Sequence, residues 1–190
     1  MYTVKNTREK YLQETCGATD AELIYIDSIR QLRRSCPRSN TIANSQPSEI
    51  LDSWLFQGNW EHANDSKILD SLSITHILNV TDKVLPDQSR QILHIRSKDG
   101  RSAELSAAFQ ETNTFLDTCH QQGGRVLVHC ERGVSRSSTI ILAFLMHHRK
   151  WAVPQAFEYL LTKRHEAIPN YALILQLVRC EHDLTKTNNE

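Results

Sequence analysis

The sequence predicts an α/β fold in which a mostly parallel central sheet is flanked by helices. Strands alternate with helical patterns through most of the chain, and two of the strands are continuous apolar runs, which is typical of strands covered on both faces. Another short apolar run, residues 126–128, ends in Cys130 and a glycine-containing loop that leads into an apolar-rich helix. This order of strand, loop and helix presents backbone N–H groups at the start of the helix, where an anion would bind.

Composition and charge indicate one globular domain. The 190 residues suit a single domain of ordinary size, and a hydrophobic content of 39% is compatible with a packed core. The 22 basic and 22 acidic residues balance, so no broad positive field would gather nucleic acid or an anionic membrane. No run approaches the ~20 apolar residues of a membrane span, and the N-terminus lacks the apolar stretch of a signal peptide. We therefore expect a cytoplasmic or nuclear protein without a membrane span and without nucleic acid as its primary partner.

The cysteines indicate thiol chemistry rather than disulfides or a zinc site. They form an odd, dispersed set without a Cys-x-x-Cys pair: Cys16, Cys36, Cys119, Cys130 and Cys180. We expect them to be reduced. His147 and His148 are neighbours in sequence and point to different sides of a helix, which favours a structural role over a metal site.

Residues 1–46 form an N-terminal extension with one predicted amphipathic helix. Thr19 and Glu22 fit a capping box, and apolar residues then recur at helical spacing to predict a helix over 20–34. The following segment, 36–48, is rich in Ser, Asn and Pro and is predicted to be a linker. The helix either docks on the compact domain or carries a basic and apolar surface for a protein partner.

The compact domain is predicted to span residues 47–184, followed by a tail over 185–190. Its first half contains a short aromatic strand at 54–58, a helix over 65–72, a strand at 75–80 and a third strand at 91–95. Four helices are predicted after the third strand. Their predicted ranges are 103–120, 139–146, 154–165 and a last helix that Pro169-Asn170 opens and that ends near Leu184.

The loop after the 126–128 strand predicts a site for a tetrahedral oxyanion with a nucleophile beneath it. A thiol at a helix N-terminus beside an arginine should have a pKa below the ~8.5 of a free cysteine, so Cys130 would be partly ionised at neutral pH. Arg136 lies six positions later, which lets the loop curl so that amides and the guanidinium surround one anion. Phosphate fits this description best.

The motif His129-Cys130, five residues and Arg136-Ser137 resembles the signature of the cysteine-dependent protein phosphatases. Within them the chain is most similar to the dual-specificity subfamily, including its atypical and slingshot-like members, and the resemblance covers about residues 47–184. The segments Leu55-Phe56-Gln57-Gly58, 74–80 and Pro169-Asn170 with Gln176-Leu177 carry the same resemblance. It implies a protein tyrosine phosphatase-like fold.

The resemblance also implies a reaction and the residues that perform it. The expected activity is hydrolysis of phosphotyrosine, phosphoserine and phosphothreonine on proteins through a phosphocysteine intermediate, with phosphorylated proteins as partners and without metal or cofactor. Cys130 would be the nucleophile, Arg136 would bind the phosphate, and Ser137 would hydrogen-bond the leaving thiolate. The remaining loop residues would offer backbone amides to the substrate: Glu131, Arg132, Gly133, Val134 and Ser135.

A general acid must protonate the leaving oxygen, and the resemblance implies Asp99 for this role. Asp82 and Asp87 are competing candidates, and Glu104 is a weaker one. His129 is expected to order the loop, because a residue adjacent to the nucleophile in a strand points away from the substrate.

Two alternative functions stay open. The basic Arg132 in the loop favours a phosphoinositide or RNA 5′-phosphatase, although the adjacent Glu131 is expected to cancel its charge. A phosphate-binding pseudophosphatase is the second alternative, against which the chain retains Cys130, Arg136 and Ser137.

Overall fold

The computed structural model describes residues 7–35, 45–87 and 89–187. The α-helices of these ranges are α1 (Thr7–Cys16), α2 (Asp20–Ser35), α3 (Trp60–Asn64), α4 (Ser66–Ser71), α5 (Phe109–Gln121), α6 (Arg136–Arg149), α7 (Val153–Lys163) and α8 (Tyr171–Thr187). The strands are β1 (Ser48–Leu51), β2 (Leu55–Gly58), β3 (His76–Asn79), β4 (Gln91–His94) and β5 (Val126–His129). No helix among these residues combines the length and the apolar character needed to cross a membrane.

The strands form one sheet in the order β1-β2-β5-β3-β4. β1 runs antiparallel to β2, and all other pairs are parallel, which confirms the predicted mostly parallel α/β fold. β5 is the central strand, and each of its residues is buried because helices cover both faces of the sheet.

The register of the sheet brings three strand ends together. His129 at the end of β5 pairs with Gly58 of β2 and with Asn79 of β3. Cys130 follows directly, so the predicted nucleophile lies at the carboxyl edge of the central strand. Open α/β sheets bind their ligands at this edge.

Helix α6 forms the centre of the main hydrophobic core. Its residues 136–146 are all buried, because the helix lies between the sheet and the surrounding helices α5, α7 and α8. A helix that is apolar on all sides can be stable in water only at such a buried position. The buried helix fixes the loop that precedes it relative to the sheet.

The N-terminal extension contains two helices, whereas the sequence predicted one. The predicted helix is α2, which begins with the expected capping box, since Glu22 N–H donates to Thr19 Oγ1 and Thr19 N–H donates to Glu22. Helix α1 was missed because its sequence is weakly amphipathic and buries only Leu12. Leu12, Ile26 and Ile29 join the main core, so both helices pack on the compact domain.

Other boundaries also differ from the prediction. β1 and the five-residue α3 were missed because each is too short to show a period. Helix α5 begins at Phe109 after a 3₁₀ turn (Ser106–Ala108) rather than at residue 103. The Leu105 and Ser106 N–H groups donate to the side chain of Gln176, so these two donors are satisfied without an α-helix at this position. Helix α8 continues to Thr187, beyond the predicted end at Leu184. Residues 36–44 of the predicted linker and residues 188–190 of the tail lie outside the described residues.

Candidate active site

The segment that joins β5 to α6, residues 130–135, is called the cysteine loop below. Gly133 at its midpoint has a φ of +66°, and a Cβ added there would lie 2.4 Å from the Gly58 carbonyl oxygen. The tight curl therefore requires glycine at this position. The Val134 N–H of the loop and the Ser137 N–H of α6 hydrogen-bond to the Cys130 sulfur.

Cys130 is buried, with 3% of its surface exposed. Burial alone raises the pKa of its thiol, but a hydrogen bond with the Ser137 hydroxyl, the Ser137 and Val134 backbone N–H groups and the positive charge of Arg136 outweigh that effect. The net result is a pKa below the ordinary value for cysteine. The Cys130 Sγ lies 3.3 Å from Ser137 Oγ. The structure therefore provides the conditions for a thiolate that the sequence predicted.

Arg136, the first residue of α6, points its guanidinium back across the cysteine loop. Its side chain is 3% exposed, and its Nη1 donates to the Ser97 carbonyl at 2.6 Å. Its buried Nε has no hydrogen-bond partner among the described residues and lies 3.6 Å from Asp99 Oδ1. A buried donor without a partner is rare in folded proteins, and a bound oxyanion would satisfy it.

Asp99 lies next to the cysteine loop, where its Oδ1 is 3.6 Å from Arg136 Nε. Its side chain is 57% exposed and reaches Arg136 from the loop between β4 and α5. Asp87 instead accepts hydrogen bonds from Ser89 and Arg90. Glu104 accepts from the N–H and hydroxyl of Ser106. The geometry favours Asp99, whose role as the acid stays a prediction.

The outer rim of the cysteine loop differs from the sequence-based expectation. Glu131 was expected to cancel the charge of Arg132, but its carboxylate pairs with Lys83 Nζ at 2.7 Å. The Glu131 carbonyl accepts from the Trp60 N–H, and the Lys83 ammonium lies 5.1 Å from the centre of the Trp60 ring. Arg132 is exposed. The pairing of Glu131 with Lys83 leaves the rim more positive than the sequence suggested.

Sequence reasoning missed two buried polar side chains that contact the cysteine loop, Arg164 and Gln57. Arg164, 2% exposed, donates through Nε to the Gly133 carbonyl at 2.7 Å and through Nη1 to Ser48 Oγ at 3.0 Å. Gln57 also donates to the Gly133 carbonyl, at 3.1 Å. The sequence offers a signal only for Gln57, as a polar residue inside an apolar strand.

Asn170 joins the two loops of the site. Its backbone N–H donates to Ser135 Oγ at 3.1 Å, and its side-chain Nδ2 donates to the Gly100 carbonyl at 2.9 Å. Its Oδ1 accepts from the Leu173 N–H at the start of α8. Asn170 therefore ties the loop that carries Asp99 to the loop that carries Cys130.

His129 lies fully buried on the far side of Cys130. Neither ring nitrogen has a hydrogen-bond partner among the described residues. Burial lowers the pKa of the imidazole to about 4, so the ring is neutral at physiological pH. This setting agrees with a structural role rather than with acid–base work.

Comparison with known proteins identifies the family. The family model for the "Dual specificity phosphatase, catalytic domain" matches residues 55–183. The chain belongs to the dual-specificity phosphatase family. The match contains the cysteine loop and Asp99, and it begins at β2, so α1, α2 and β1 lie outside it.

Curated relatives include members of the same family from mammals. Rat dual specificity protein phosphatase 5 is 37% identical over 140 residues, which are 73% of this chain and 36% of the relative. Human dual specificity protein phosphatase 2 is 37% identical over 151 residues, which are 78% of this chain and 48% of the relative. The chain thus spans about a third to a half of the length of these dual-specificity phosphatases.

Solved structures of the family share the fold. Human DUSP28 superposes with a TM-score of 0.70 and 26% identity, covering 75% of this chain and 97% of that structure. The human tyrosine phosphatase-like serine/threonine/tyrosine-interacting protein superposes with a TM-score of 0.69 and 30% identity, covering 74% and 98%. These neighbours are consistent with the sheet order and helix packing described above.

Proposed function

We propose that this protein is a dual-specificity protein phosphatase that works through a phosphocysteine intermediate. The observation that carries the proposal is the meeting of Cys130, Arg136 and Ser137 at the carboxyl edge of β5. There, hydrogen-bond donors converge on a thiol whose pKa is lowered. Family membership over residues 55–183 supports the same reaction class.

The proposed first step transfers the phosphoryl group to sulfur. The Cys130 thiolate attacks phosphorus while Arg136 and the loop amides bind the equatorial oxygens. The bond from phosphorus to the leaving oxygen breaks, and that oxygen takes the proton of the Asp99 carboxyl group. The products are the dephosphorylated side chain and phosphocysteine, with Asp99 now a carboxylate.

The second step regenerates the enzyme. The Asp99 carboxylate accepts a proton from a water molecule as that water attacks phosphorus, and the bond between sulfur and phosphorus breaks. Ser137 donates a hydrogen bond to the departing thiolate, which makes sulfur a better leaving group. Inorganic phosphate leaves, and both residues return to their initial protonation states.

The groove next to the cysteine loop offers a place for the peptide that carries the phosphorylated residue. It is a cleft of about 630 Å³ whose lining includes Asn59, Trp60, Glu131 and Arg132, with Arg33 from α2. Such an open groove accommodates phosphoserine and phosphothreonine as well as phosphotyrosine. The outer face of α2, where Ile24 is 72% exposed, is our proposed contact for a protein partner.

The nucleophile is tested by replacing it. We expect hydrolysis of an aryl phosphate and of phosphopeptides to need no added metal, to survive chelator and to vanish in Cys130→Ser, because no other nucleophile is proposed. Cys16→Ser, a partly exposed cysteine of α1, is the matched control and should keep full activity. An active Cys130→Ser protein would disprove the mechanism.

The same assay separates the alternative functions. A panel of phosphotyrosine, phosphoserine and phosphothreonine peptides is compared with phosphoinositides and RNA 5′-phosphates. Turnover of the peptides at the higher kcat/KM supports the proposal, whereas turnover of phosphoinositides or RNA alone would replace it. Binding of phosphopeptides without turnover would assign a pseudophosphatase.

We also propose a reducing location, the cytoplasm or nucleus. The cysteines of the described segments are free thiols, and a nucleophilic thiolate must stay reduced to act. Microscopy of the tagged full chain tests this proposal, and secretion of the protein would contradict it.

A further inference from the structure

Gln57 is a polar side chain in the buried interior of the sheet. It lies on β2 and has no exposed surface. Its Nε2 lies 3.1 Å from the Gly133 carbonyl oxygen, 3.0 Å from Ser137 Oγ and 2.8 Å from Ser138 Oγ. The amide therefore contacts both the midpoint of the cysteine loop and the first turn of α6.

The neighbours of this amide determine which way it faces. The Gly133 carbonyl oxygen can only accept a hydrogen bond. Ser138 Oγ donates its own hydrogen to the Val134 carbonyl at 2.8 Å, so it must accept from Gln57. Both contacts require a donor, which places the NH₂ group of Gln57 toward the loop and its Oε1 on the opposite side.

This orientation decides where the Ser137 hydrogen goes. Gln57 Nε2 has two hydrogens for three neighbours and cannot accept, so Ser137 Oγ shares one of these hydrogens and does not donate at that contact. The hydroxyl hydrogen must then point elsewhere, and the Cys130 sulfur, 3.3 Å away, lies within hydrogen-bond distance of the hydroxyl. A serine that donates to sulfur favours the thiolate over the thiol.

We propose that Gln57 is a positioning residue that orients the Ser137 hydroxyl so that it donates its hydrogen bond to the Cys130 sulfur. The inference rests on the proposed function in assigning Cys130 as the nucleophile. It adds a residue from another strand, 73 positions before the cysteine, to the machinery of the site.

The other end of the amide supports a role beyond packing. Gln57 Oε1 is buried and has no hydrogen-bond partner among the described residues. An unsatisfied buried oxygen destabilises a fold, and an apolar side chain of similar size would avoid that cost. The glutamine is therefore explained by its donor, which the cysteine loop uses.

Gln57→Leu tests the proposal by removing the donor and keeping the approximate volume. The thiol pKa of Cys130 is measured from the pH dependence of its alkylation by iodoacetamide. We expect the pKa to rise by about half a unit to one unit, which is a three- to tenfold loss of thiolate at a pH below the pKa. Arg136, Arg164 and Asp99, the charged groups that face the sulfur or its arginine, remain in place.

The variant Ser137→Ala supplies the decisive comparison. In the Ser137→Ala background, Gln57→Leu should shift the thiol pKa no further, because the hydroxyl that Gln57 orients is absent. Thr112→Val is the matched control, since Thr112 is equally buried and its hydroxyl donates to the Phe109 carbonyl within α5. Its thiol pKa should equal that of the unmodified protein.

An unchanged thiol pKa in Gln57→Leu would overturn the proposal, and so would an equal shift with and without Ser137. If Gln57→Leu fails to fold, the side-chain ¹⁵N–¹H signals of Gln57 give the answer without it. They should titrate with the Cys130 thiol in the unmodified protein and lose that response in Ser137→Ala. A response that persists undiminished in Ser137→Ala would contradict the proposed contact.

Alkylation reports on the thiol without turnover. A shifted thiol pKa in a protein that hydrolyses no phosphoester would therefore support the positioning role and refute the proposed function. Phosphatase activity combined with a thiol pKa that is unchanged in Gln57→Leu would support the proposed function and refute the positioning role.

Discussion

Asp99 is the residue whose chemical role is most open to direct measurement. If it protonates the leaving oxygen, Asp99→Asn should lose about 10²-fold or more in kcat with phosphopeptides, whose leaving groups are basic. The loss should be much smaller with an activated aryl phosphate, whose leaving group scarcely needs a proton. The ratio of the two losses, measured by steady-state kinetics, is the test.

The pH profile gives an independent reading of the same residue. The acidic limb reflects ionisation of Cys130 and should persist in Asp99→Asn, whereas the alkaline limb, which reflects loss of the Asp99 proton, should flatten. Equal losses on both substrates with an unchanged alkaline limb would instead point to Asp82 or Asp87.

His129 should make the protein sensitive to acid. Burial lowers its pKa to about 4 from the ordinary 6.5, the Cys130 backbone opposes this shift, and the nearby Arg136 charge adds to the lowering. Below pH 6.5 the unfolded chain binds a proton that the folded chain does not, so stability falls as the pH drops from 6.5 toward 4. The difference between the two pKa values of His129 corresponds to about 3 kcal/mol in the free energy of unfolding.

Urea unfolding between pH 4 and pH 8 measures this dependence. His129→Leu should flatten the slope between pH 4 and pH 6.5, whatever its effect on absolute stability. His182→Gln, an exposed histidine of α8, is the control and should keep the slope. A slope that is the same in all three proteins would show that His129 takes up its proton without unfolding.

Among the elements, helices α1 and α2 contact the segment that joins the cysteine loop to the loop of Asp99. The guanidinium groups of Arg8 and Arg30 lie 4.0 Å and 4.4 Å from the centre of the Tyr171 ring. Arg30 Nη1 also donates to the Pro169 carbonyl at 2.8 Å. Asn170, between Pro169 and Tyr171, holds both the cysteine loop and the Asp99 loop. The N-terminal helices therefore reach the site through three consecutive residues.

Arg30→Ala should lower kcat/KM about three- to tenfold, because it loosens the Asn170 segment by the ~1–2 kcal/mol of a partly buried cation–π contact and hydrogen bond. Arg179→Ala is the matched control. Arg179 also ties α8 to the N-terminal helices, through Glu22 and the Cys16 and Gly17 carbonyls, but it does not contact residues 169–171. Its variant should lose stability with kcat/KM unchanged. Equal kinetic losses in both variants would indicate a general effect of helix docking.

Across the whole molecule, the cysteines differ in their surroundings and therefore in the pKa of their thiols. Burial raises the pKa of Cys119 to about 11, and burial with the nearby Asp183 and Glu181 charges raises that of Cys180. The pKa of Cys130 is lowered. Since the thiolate is the form that peroxide attacks, Cys130 should be the first cysteine oxidised and activity should return with a thiol reductant.

Mass spectrometry of partly inactivated protein decides this prediction. The expected result is sulfenic acid or its adduct at Cys130 while Cys119 and Cys180 remain thiols. Oxidation of Cys16 or Cys36 before Cys130 would show that the thiol is less ionised or less accessible than its surroundings imply.

The fold class and the family could be predicted from the sequence alone, and the same patterns predict Cys130 as the nucleophile. These features depend on short-range patterns: apolar runs that form buried strands, helical periods of several turns, and the six-residue spacing of Cys130 and Arg136. Each pattern lies within one segment, so it could be interpreted without knowing what packs against it. The catalytic role of Asp99 was also inferred from sequence and stays a prediction.

The contacts that support the site became visible in the three-dimensional structure. Gln57 and Arg164 both donate to the Gly133 carbonyl, although they lie 76 residues before and 31 residues after Gly133 in the sequence. Lys83 pairs with Glu131 across a separation of 48 residues. The sequence marks Gln57 only as a polar residue in an apolar strand, and it cannot identify the partners of any of these side chains, because a polar side chain does not reveal which distant group it will contact. Helix α1 and strand β1 were missed for the related reason that tertiary packing, rather than their own weak periodicity, stabilises them.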